Sequence, residues 1–308
     1  MIQIQGVWKS FDTLVAVRDV SLQVEQSQTL GLIGPNGSGK TTLLRMISTL
    51  AKADRGEIHV CGANAHTEPR DVRRKIAFMP AEFGSPMDMS IYEYMDYFAC
   101  AVGIPRHGRQ DIIGSVLELT DMQGRDEVMV RGLSTGNRQR LLLAKTLLTD
   151  PEILILDEPA SGLDPRARAE VRALLGELSS MGKTILLSSH ILADVEDICT
   201  HICILERGAN VLAGPLSELR EQFDVAHKVI RIKVPHDKFD EAAALLEQLP
   251  EVMKCDRVDS LLQVSSHEEN SNSILKNLID ADIEILEMAE VRPDLEDIFL
   301  DSTKGVVS

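Results

Sequence analysis

Nothing in this chain constrains its fold more than Gly34-Pro35-Asn36-Gly37-Ser38-Gly39-Lys40-Thr41-Thr42. The run satisfies the pattern G-x-x-x-x-G-K-[ST], which has meaning only between a buried strand and the start of a helix. Both flanks are present: Thr29-Leu30-Gly31-Leu32-Ile33 is a short apolar run, and Thr42-Leu43-Leu44-Arg45-Met46-Ile47 opens an amphipathic helix. Glycines let successive backbone N–H groups point inward, and the helix N-terminus adds partial positive charge, so the unit is an anion cradle. In such a loop Lys40 reaches the β- and γ-phosphates and the Thr41 hydroxyl ligates Mg²⁺. The loop specifies a nucleoside triphosphate and leaves open what the energy drives.

Further along, Ile153-Leu154-Ile155-Leu156-Asp157-Glu158 is an apolar strand with two carboxylates at its tip. Downstream of a phosphate loop, that is the arrangement a nucleotide hydrolase needs. Asp157 holds Mg²⁺ through water, and Glu158 polarises the attacking water. Ser161-Gly162-Leu163-Asp164-Pro165 is a turn opening a helix over 166–181, and 183–190 is a buried strand with His190 at its polar tip. In open α/β sheets such tips line the ligand crevice, where a histidine can sense a γ-phosphate. Between these motifs, Arg131-Gly132-Leu133-Ser134-Thr135-Gly136-Asn137-Arg138 leads into a leucine-rich helix. Ser134 and Gly136 make its start a second anion-receptive helix end.

The rest of the first two-thirds supports these motifs. Residues 2–8 and 20–26 alternate as antiparallel strands with one solvated face, with Phe11 in a loop between them. A short strand follows at 57–61, then a basic helix face at 70–75 that leads into a strand at 76–79. Helices dominate 82–150. Ile91, Tyr94, Met95 and Phe98 form a core stripe, and Tyr92 and Tyr97 fall off it as candidates for an interaction surface.

Composition narrows the class. The chain has 308 residues and a formal charge of −16, which argues against a nucleic-acid surface and against direct adhesion to anionic lipid. No window approaches a membrane span, and Met1-Ile2-Gln3-Ile4-Gln5 lacks the pattern of a signal peptide. No direct membrane insertion is therefore expected, and membrane association should run through a protein partner. The five cysteines are scattered and odd in number, as expected of reduced thiols in a cytoplasmic protein. Cys199-Thr200-His201-Ile202-Cys203 lacks a second ligand pair and reads as a helix end followed by a strand.

Taken in order and spacing, the motifs over residues 1 to about 222 resemble those of the ATP-binding subunits of ABC transporters. Phe11 falls at that family's adenine-stacking aromatic, Gly34 to Thr41 at Walker A, and Ile153 to Glu158 at Walker B. Leu133 to Asn137 stands at the signature, Ser161 to Asp164 at the D-loop, and His190 at the switch histidine. The resemblance implies an α/β P-loop NTPase domain with a mostly parallel core sheet, an antiparallel β subdomain and a helical signature subdomain at about 82–150. It implies ATP and Mg²⁺ bound between two subunits arranged head to tail, as a homodimer or a paralogous heterodimer. Ser134, Gly136 and Asn137 of one subunit would meet the γ-phosphate held by Lys40 of the other, with Asp164 beside them. Glu158 would be the general base, and His190 would hold the γ-phosphate and the attacking water. The location implied is cytoplasmic, peripheral on the inner face of the plasma membrane.

Two departures are visible. The signature carries Thr135 and Asn137 where glycine and glutamine are usual, and Ala81 stands at the Q-loop glutamine. Alanine offers no side-chain hydrogen bond, so hydrolysis is expected to be reduced and not abolished. Residues 226–308 form a separate α+β unit: strand 227–234, helix 237–248, strand 261–264, helix 272–281 and strand 283–286. It closes with a short helix packing Leu295 and Phe299. This unit resembles the accessory domain of ABC-2-type exporter ATPases, which implies export through a polytopic membrane permease and a dimerisation or regulatory role for the tail. The competing readings are an ABC ATPase acting on ribosomes or DNA, disfavoured by the acidic charge, and a non-hydrolysing half of a heterodimer. Glu158 and His190 speak against the latter and Ala81 for it.

Overall fold

Alternating residues near the N-terminus build the first sheet of the computed structural model, which describes residues 1–84, 87–226, 228–258, 260–266, 272–291 and 295. β1 (Ile2–Phe11) and β2 (Leu14–Val24) pair as a hairpin and bury Ile2, Ile4, Val7, Val17, Val20 and Val24. Both strands run further than their alternation suggested. Register shifts after Ile4, Val7 and Lys9 re-phase the side chains, so strict alternation fails while pairing continues. Phe11, expected in a loop, is thus the last residue of β1, and Asp12 turns the chain at φ 48°.

The continuous apolar runs become strands covered on both faces. β3 (Thr29–Ile33) leads through the glycine loop into α1 (Lys40–Ile47). β4 (Arg55–Val60) and β5 (Ala63–Asn64) extend the first sheet, whose order is β2-β1-β4-β5. α2 (Pro69–Lys75) buries only Val72 and keeps its basic residues in solvent. It is followed by β6 (Ile76–Met79) and the helical section: α3 (Ile91–Ala101), α4 (Arg109–Leu119) and α5 (Thr135–Leu147). Ser90 and Glu93 form a capping box that fixes where α3 begins. Ile91, Tyr94 and Met95 are fully buried, Tyr92 is half-buried and Tyr97 is 52% exposed.

β7 (Ile153–Asp157), α6 (Pro165–Ser180), β8 (Thr184–Ser189), α7 (Leu192–Ile198), β9 (His201–Glu206) and β10 (Ala209–Pro215) complete this unit. The main sheet runs β10-β9-β3-β8-β7-β6, parallel throughout except for the edge pair β9–β10. Every residue of β3, β7 and β8 is buried, which is why these strands read as unbroken apolar runs. Their side-by-side order brings three motifs together, because the glycine loop, Glu158 and His190 each leave the carboxyl end of one of three adjacent strands.

Cys199 ends α7 and Cys203 lies inside β9, both buried. Burial pushes the Cys203 thiol up to about 12 and the Cys199 thiol higher still, leaving almost no thiolate at neutral pH. Alkylation of the native protein at pH 8 should therefore label exposed Cys100 and spare Cys199 and Cys203 until denaturant is added. Peptide mass mapping checks this, and native labelling of Cys203 would contradict the assigned strand.

The chain divides into two units, Met1–Pro215 and Leu216–Ser308, and the change expected between 222 and 226 falls in α8 (Leu216–Ala226). The second unit continues with β11 (Lys228–Lys233), α9 (Phe239–Leu246), β12 (Val252–Val258), β13 (Leu261–Ser266), α10 (Asn272–Asp280) and β14 (Glu287–Val291). The antiparallel order β12-β13-β11-β14 with this β-α-β-β-α-β succession is a ferredoxin-like sheet. Ile230, Ile232, Leu262 and Val264 meet Ala242, Ala243, Leu246, Ile274 and Leu278 in its core. One expectation is corrected and one strand is added. The last strand is not 283–286 but β14: Ile283 is drawn into the core, and pairing starts only once Leu286 N–H has bonded Lys233 O at 2.8 Å. β12, unforeseen, has no fully buried residue and so no apolar alternation. Leu295 is helical and buried, while Phe299 lies outside the described residues.

Candidate nucleotide site

The glycine loop is shaped by close approach of backbone to backbone. A Cβ on Gly39, at φ +103°, would stand 2.4 Å from Ala16 O, and one on Gly34 would stand 2.2 Å from Leu205 O. No other residue fits either position. Lys40, the first residue of α1, is 6% exposed and turns its ammonium back into the loop. It donates to Gly34 O at 2.6 Å and to Pro35 O at 3.2 Å. Burial lowers its pKa, opposed by the negative charges of Glu158 and Asp157. Ser38 Oγ is buried without a hydrogen-bond partner in the same loop. A cradle of tight glycines holding an orphaned hydroxyl and a desolvated ammonium fits a polyphosphate.

Opposite the loop, Asp157 ends β7 with 2% exposure. Its Oδ1 accepts from Thr41 Oγ1 at 3.1 Å and from Ser188 Oγ at 2.7 Å. A carboxylate and a hydroxyl in contact are the hard oxygen donors that suit Mg²⁺, which keeps water and takes phosphate for its other positions. Among the described residues no group of three or more acidic, histidine or cysteine side chains is placed to hold a metal by itself. The donor set therefore fits Mg²⁺ shared with phosphate.

Glu158 follows at φ 51°, a left-handed conformation unfavourable for a side chain of this kind. Its N–H donates to Ser188 Oγ at 2.9 Å, so one serine locks both acidic residues. Ser188 was missed from the sequence, where it reads as part of the polar end of its strand. The Glu158 carboxylate is 15% exposed. Its Oε1 is 3.8 Å from Lys40 Nζ and its Oε2 2.7 Å from His190 Nδ1. Lys40, Thr41, Asp157, Glu158 and His190 thus form one cluster at the carboxyl edge of the sheet.

Other expected residues lie elsewhere. Phe11 exposes half its surface, with Lys9 Nζ 5.3 Å from its ring centroid. Ser134 caps α5 by accepting from Asn137 N–H at 3.3 Å, and Asp164 caps α6 by accepting from Ala167 N–H at 2.9 Å. These two caps, with Gly136 and Asn137, line a depression of about 430 Å³ to which no residue of the glycine loop contributes. Gly136 is pressed against α6, where an added Cβ would come within 3.1 Å of Ala167 Cβ. Arg140 fastens the same two helices through Glu170 at 2.6 Å. Ala81 and Glu82 are exposed.

With this geometry in place, comparison with known proteins is informative. A family model described as ABC transporter matches residues 17–161, and one described as ATP-binding protein DrrA1-3-like, C-terminal domain, matches 214–303. The Nod factor export ATP-binding protein I of Burkholderia pseudomallei (strain 1710b) is 34% identical over 234 residues, 76% of this chain and 77% of that protein. Its namesake from Bradyrhizobium diazoefficiens is 35% identical over 213 residues, 69% of this chain and 70% of that protein. Among solved structures, an ATP-binding subunit of an ABC transporter superposes with TM-score 0.65 at 28% identity, covering 72% of this chain and 93% of that one. A dimeric ATP-binding cassette in a post-hydrolysis state, bound to ADP and Pi, superposes with TM-score 0.64 at 23% identity. It covers 70% of this chain and 99% of that one, and shares the fold.

Proposed function

The chain belongs to the family of ABC transporter ATP-binding subunits, and from that premise we propose that two such subunits grip MgATP between them and drive a membrane-embedded permease in export. It is an ATPase subunit of an exporter-type transporter. The observation that carries the mechanism is the single cluster of Lys40, Thr41, Asp157, Glu158 and His190, set apart from the Ser134–Asp164 depression. A second anion-receptive surface on the same chain has a use if it closes over a nucleotide held by another subunit.

In this reading the backbone of Gly34 to Thr42 and the Lys40 ammonium bind the β- and γ-phosphates, and Phe11 offers its exposed ring to the adenine. Thr41 and Asp157 would hold Mg²⁺, which when bound neutralises phosphate charge. Glu158 accepts a proton from the attacking water, and His190 orients that carboxylate through the 2.7 Å contact. Ser134, Gly136, Asn137 and Asp164 serve the γ-phosphate of the facing subunit. Whether that subunit is a second copy or a paralogue is set by the transporter assembly.

Contact with the permease belongs to residues 82–100. Phe83 stacks on Tyr94 at 5.6 Å, Phe98 packs tilted against Tyr94 at 4.8 Å, and exposed Tyr97 meets Phe98 edge-on at 5.1 Å. Among the described residues no helix is long and apolar enough to cross a membrane; in this reading the subunit docks peripherally on the cytoplasmic face of the permease. The ferredoxin-like unit contributes to dimerisation or control. Affinity purification of the tagged full-length chain from native membranes should recover a polytopic membrane protein in stoichiometric amount. Recovery of ribosomes or DNA in its place would overturn the transport reading.

Ala81 bears on the rate. Restoring a side-chain hydrogen bond at this position is worth about 0.5–1.5 kcal/mol, or roughly two- to tenfold. Ala81→Gln should therefore raise kcat by a factor in that range and leave ATP affinity unchanged. Steady-state ATPase assays read this directly, and an unchanged or lower kcat would remove Ala81 as the brake.

A further inference from the structure

His190 is met on one side by Glu158, and the helix that follows it carries a buried carboxylate for which hydrolysis as described has no use. Asp194 lies in the first turn of α7, four residues beyond His190, and is 4% exposed. Neither of its carboxylate oxygens accepts a hydrogen bond. A buried charge in that condition is costly unless something else engages it. Two guanidiniums of α6 face it without closing: Arg168 Nε is 3.9 Å from Oδ2 and Arg172 Nε is 4.0 Å from Oδ1. Each gap is about 1 Å longer than a charge-assisted hydrogen bond.

The surroundings are specific. Arg168 Nε is also buried without a hydrogen-bond partner, while another nitrogen of that guanidinium donates to Leu163 O at 3.4 Å. Leu163 directly precedes Asp164, the cap of α6. Arg172 pairs with Asp197 on α7 as well. Asp194 further lines a cavity of about 10 Å³ together with Pro159 and Ala160, which follow Glu158, and Ser189, which precedes His190. That volume has room for about one water at most, and Arg172 lines it beside the carboxylate. Burial raises the Asp194 pKa and the arginines counter it.

We propose that Asp194 is a positioning residue for ATP hydrolysis. Its carboxylate, drawn toward Arg168 and Arg172, holds α7 so that His190 stays opposed to Glu158. The same link ties this pair to the Leu163–Asp164 turn on the Ser134 side. The proposal rests on the reading that Glu158 and His190 serve hydrolysis. It adds a joint through which closure at the Ser134 surface reaches the hydrolytic pair of the same chain.

The test is ATPase kinetics and thermal melting on the full-length chain for Asp194→Asn, Asp194→Glu, Arg168→Gln and the double variant Asp194→Asn/Arg168→Gln. Misplacing a reacting group by about 1 Å costs on the order of a hundredfold. Asp194→Asn should thus lose about ten- to a hundredfold in kcat, with KM for ATP moving less than about twofold. Asp194→Glu should recover most of that loss, and the double variant should be no slower than the slower single one, as for residues acting through one contact. Should Asp194→Asn fail to fold, Arg168→Gln alters the same contact from a partly exposed side chain, and its kcat must fall at an unchanged melting temperature. A loss carried by KM, a glutamate variant as slow as the asparagine one, additive losses, or unchanged kcat would each overturn the proposal. Glu158→Gln in parallel separates the two levels. Its collapse beside an active Asp194→Asn overturns this joint alone, whereas wild-type turnover in Glu158→Gln removes the parent reading and the joint together.

Discussion

Glu158→Gln is expected to hydrolyse ATP about 10²–10⁴-fold more slowly than the wild type while binding it with undiminished affinity. The substitution keeps the shape of the side chain and a hydrogen-bonding atom toward His190 Nδ1, now at 2.7 Å. It deletes the negative charge that faces Lys40 Nζ at 3.8 Å, and with it the carboxylate proposed to receive the water proton. Backbone placement should survive, because the Glu158 N–H is held by Ser188 Oγ whatever the side chain. Single-turnover hydrolysis and nucleotide retention on the same sample check both halves. A rate within about threefold of wild type would remove Glu158 as general base.

The second large effect belongs to Lys40. Lys40→Ala should weaken ATP binding by about thirtyfold to several thousandfold, as when one partner of a buried charge-assisted contact is deleted. The ammonium is desolvated and its pKa lowered, so the loop binds it at a disadvantage that triphosphate charge would relieve. Glu158 and Asp157 favour the charged form, but in the proposed mechanism they are engaged by the water and the metal and do not replace the phosphate. Removing the ammonium also leaves Gly34 O without its donor, while Pro35 O keeps the Ser38 N–H at 3.1 Å, so a modest fall in melting temperature should accompany the loss. Calorimetric titration with ATP distinguishes the two effects. Wild-type affinity in a folded Lys40→Ala protein would mean that the phosphates lie elsewhere.

Much of this site was legible in the sequence because its residues are punctuated by chemistry that only one geometry satisfies. Gly34, Gly39 and Lys40 announce the loop, since no Cβ fits against Leu205 O or Ala16 O. The buried strands β3, β7 and β8 stand out as unbroken apolar runs because both faces are covered, and their adjacency follows from the family resemblance. Ser188 was not legible: a serine two residues before His190 looks like any polar strand end, and only the parallel pairing of Asp157 with Ser188 gives it a role. Asp194 was hidden in the same way, because its arginines come from a different helix. Strand limits failed where pairing and not periodicity sets them, as in the bulged β1 and in β14, whose register follows from Lys233.

The contribution of Ser134 cannot be seen within one chain, because its surface and the Lys40 cradle line separate places. Sedimentation of full-length Glu158→Gln, with and without saturating MgATP, therefore tests the central claim most directly. The account predicts a shift from one subunit to two on adding MgATP, lost when Ser134→Arg is introduced. Single subunits at every nucleotide concentration, alone and with the permease present, would contradict it.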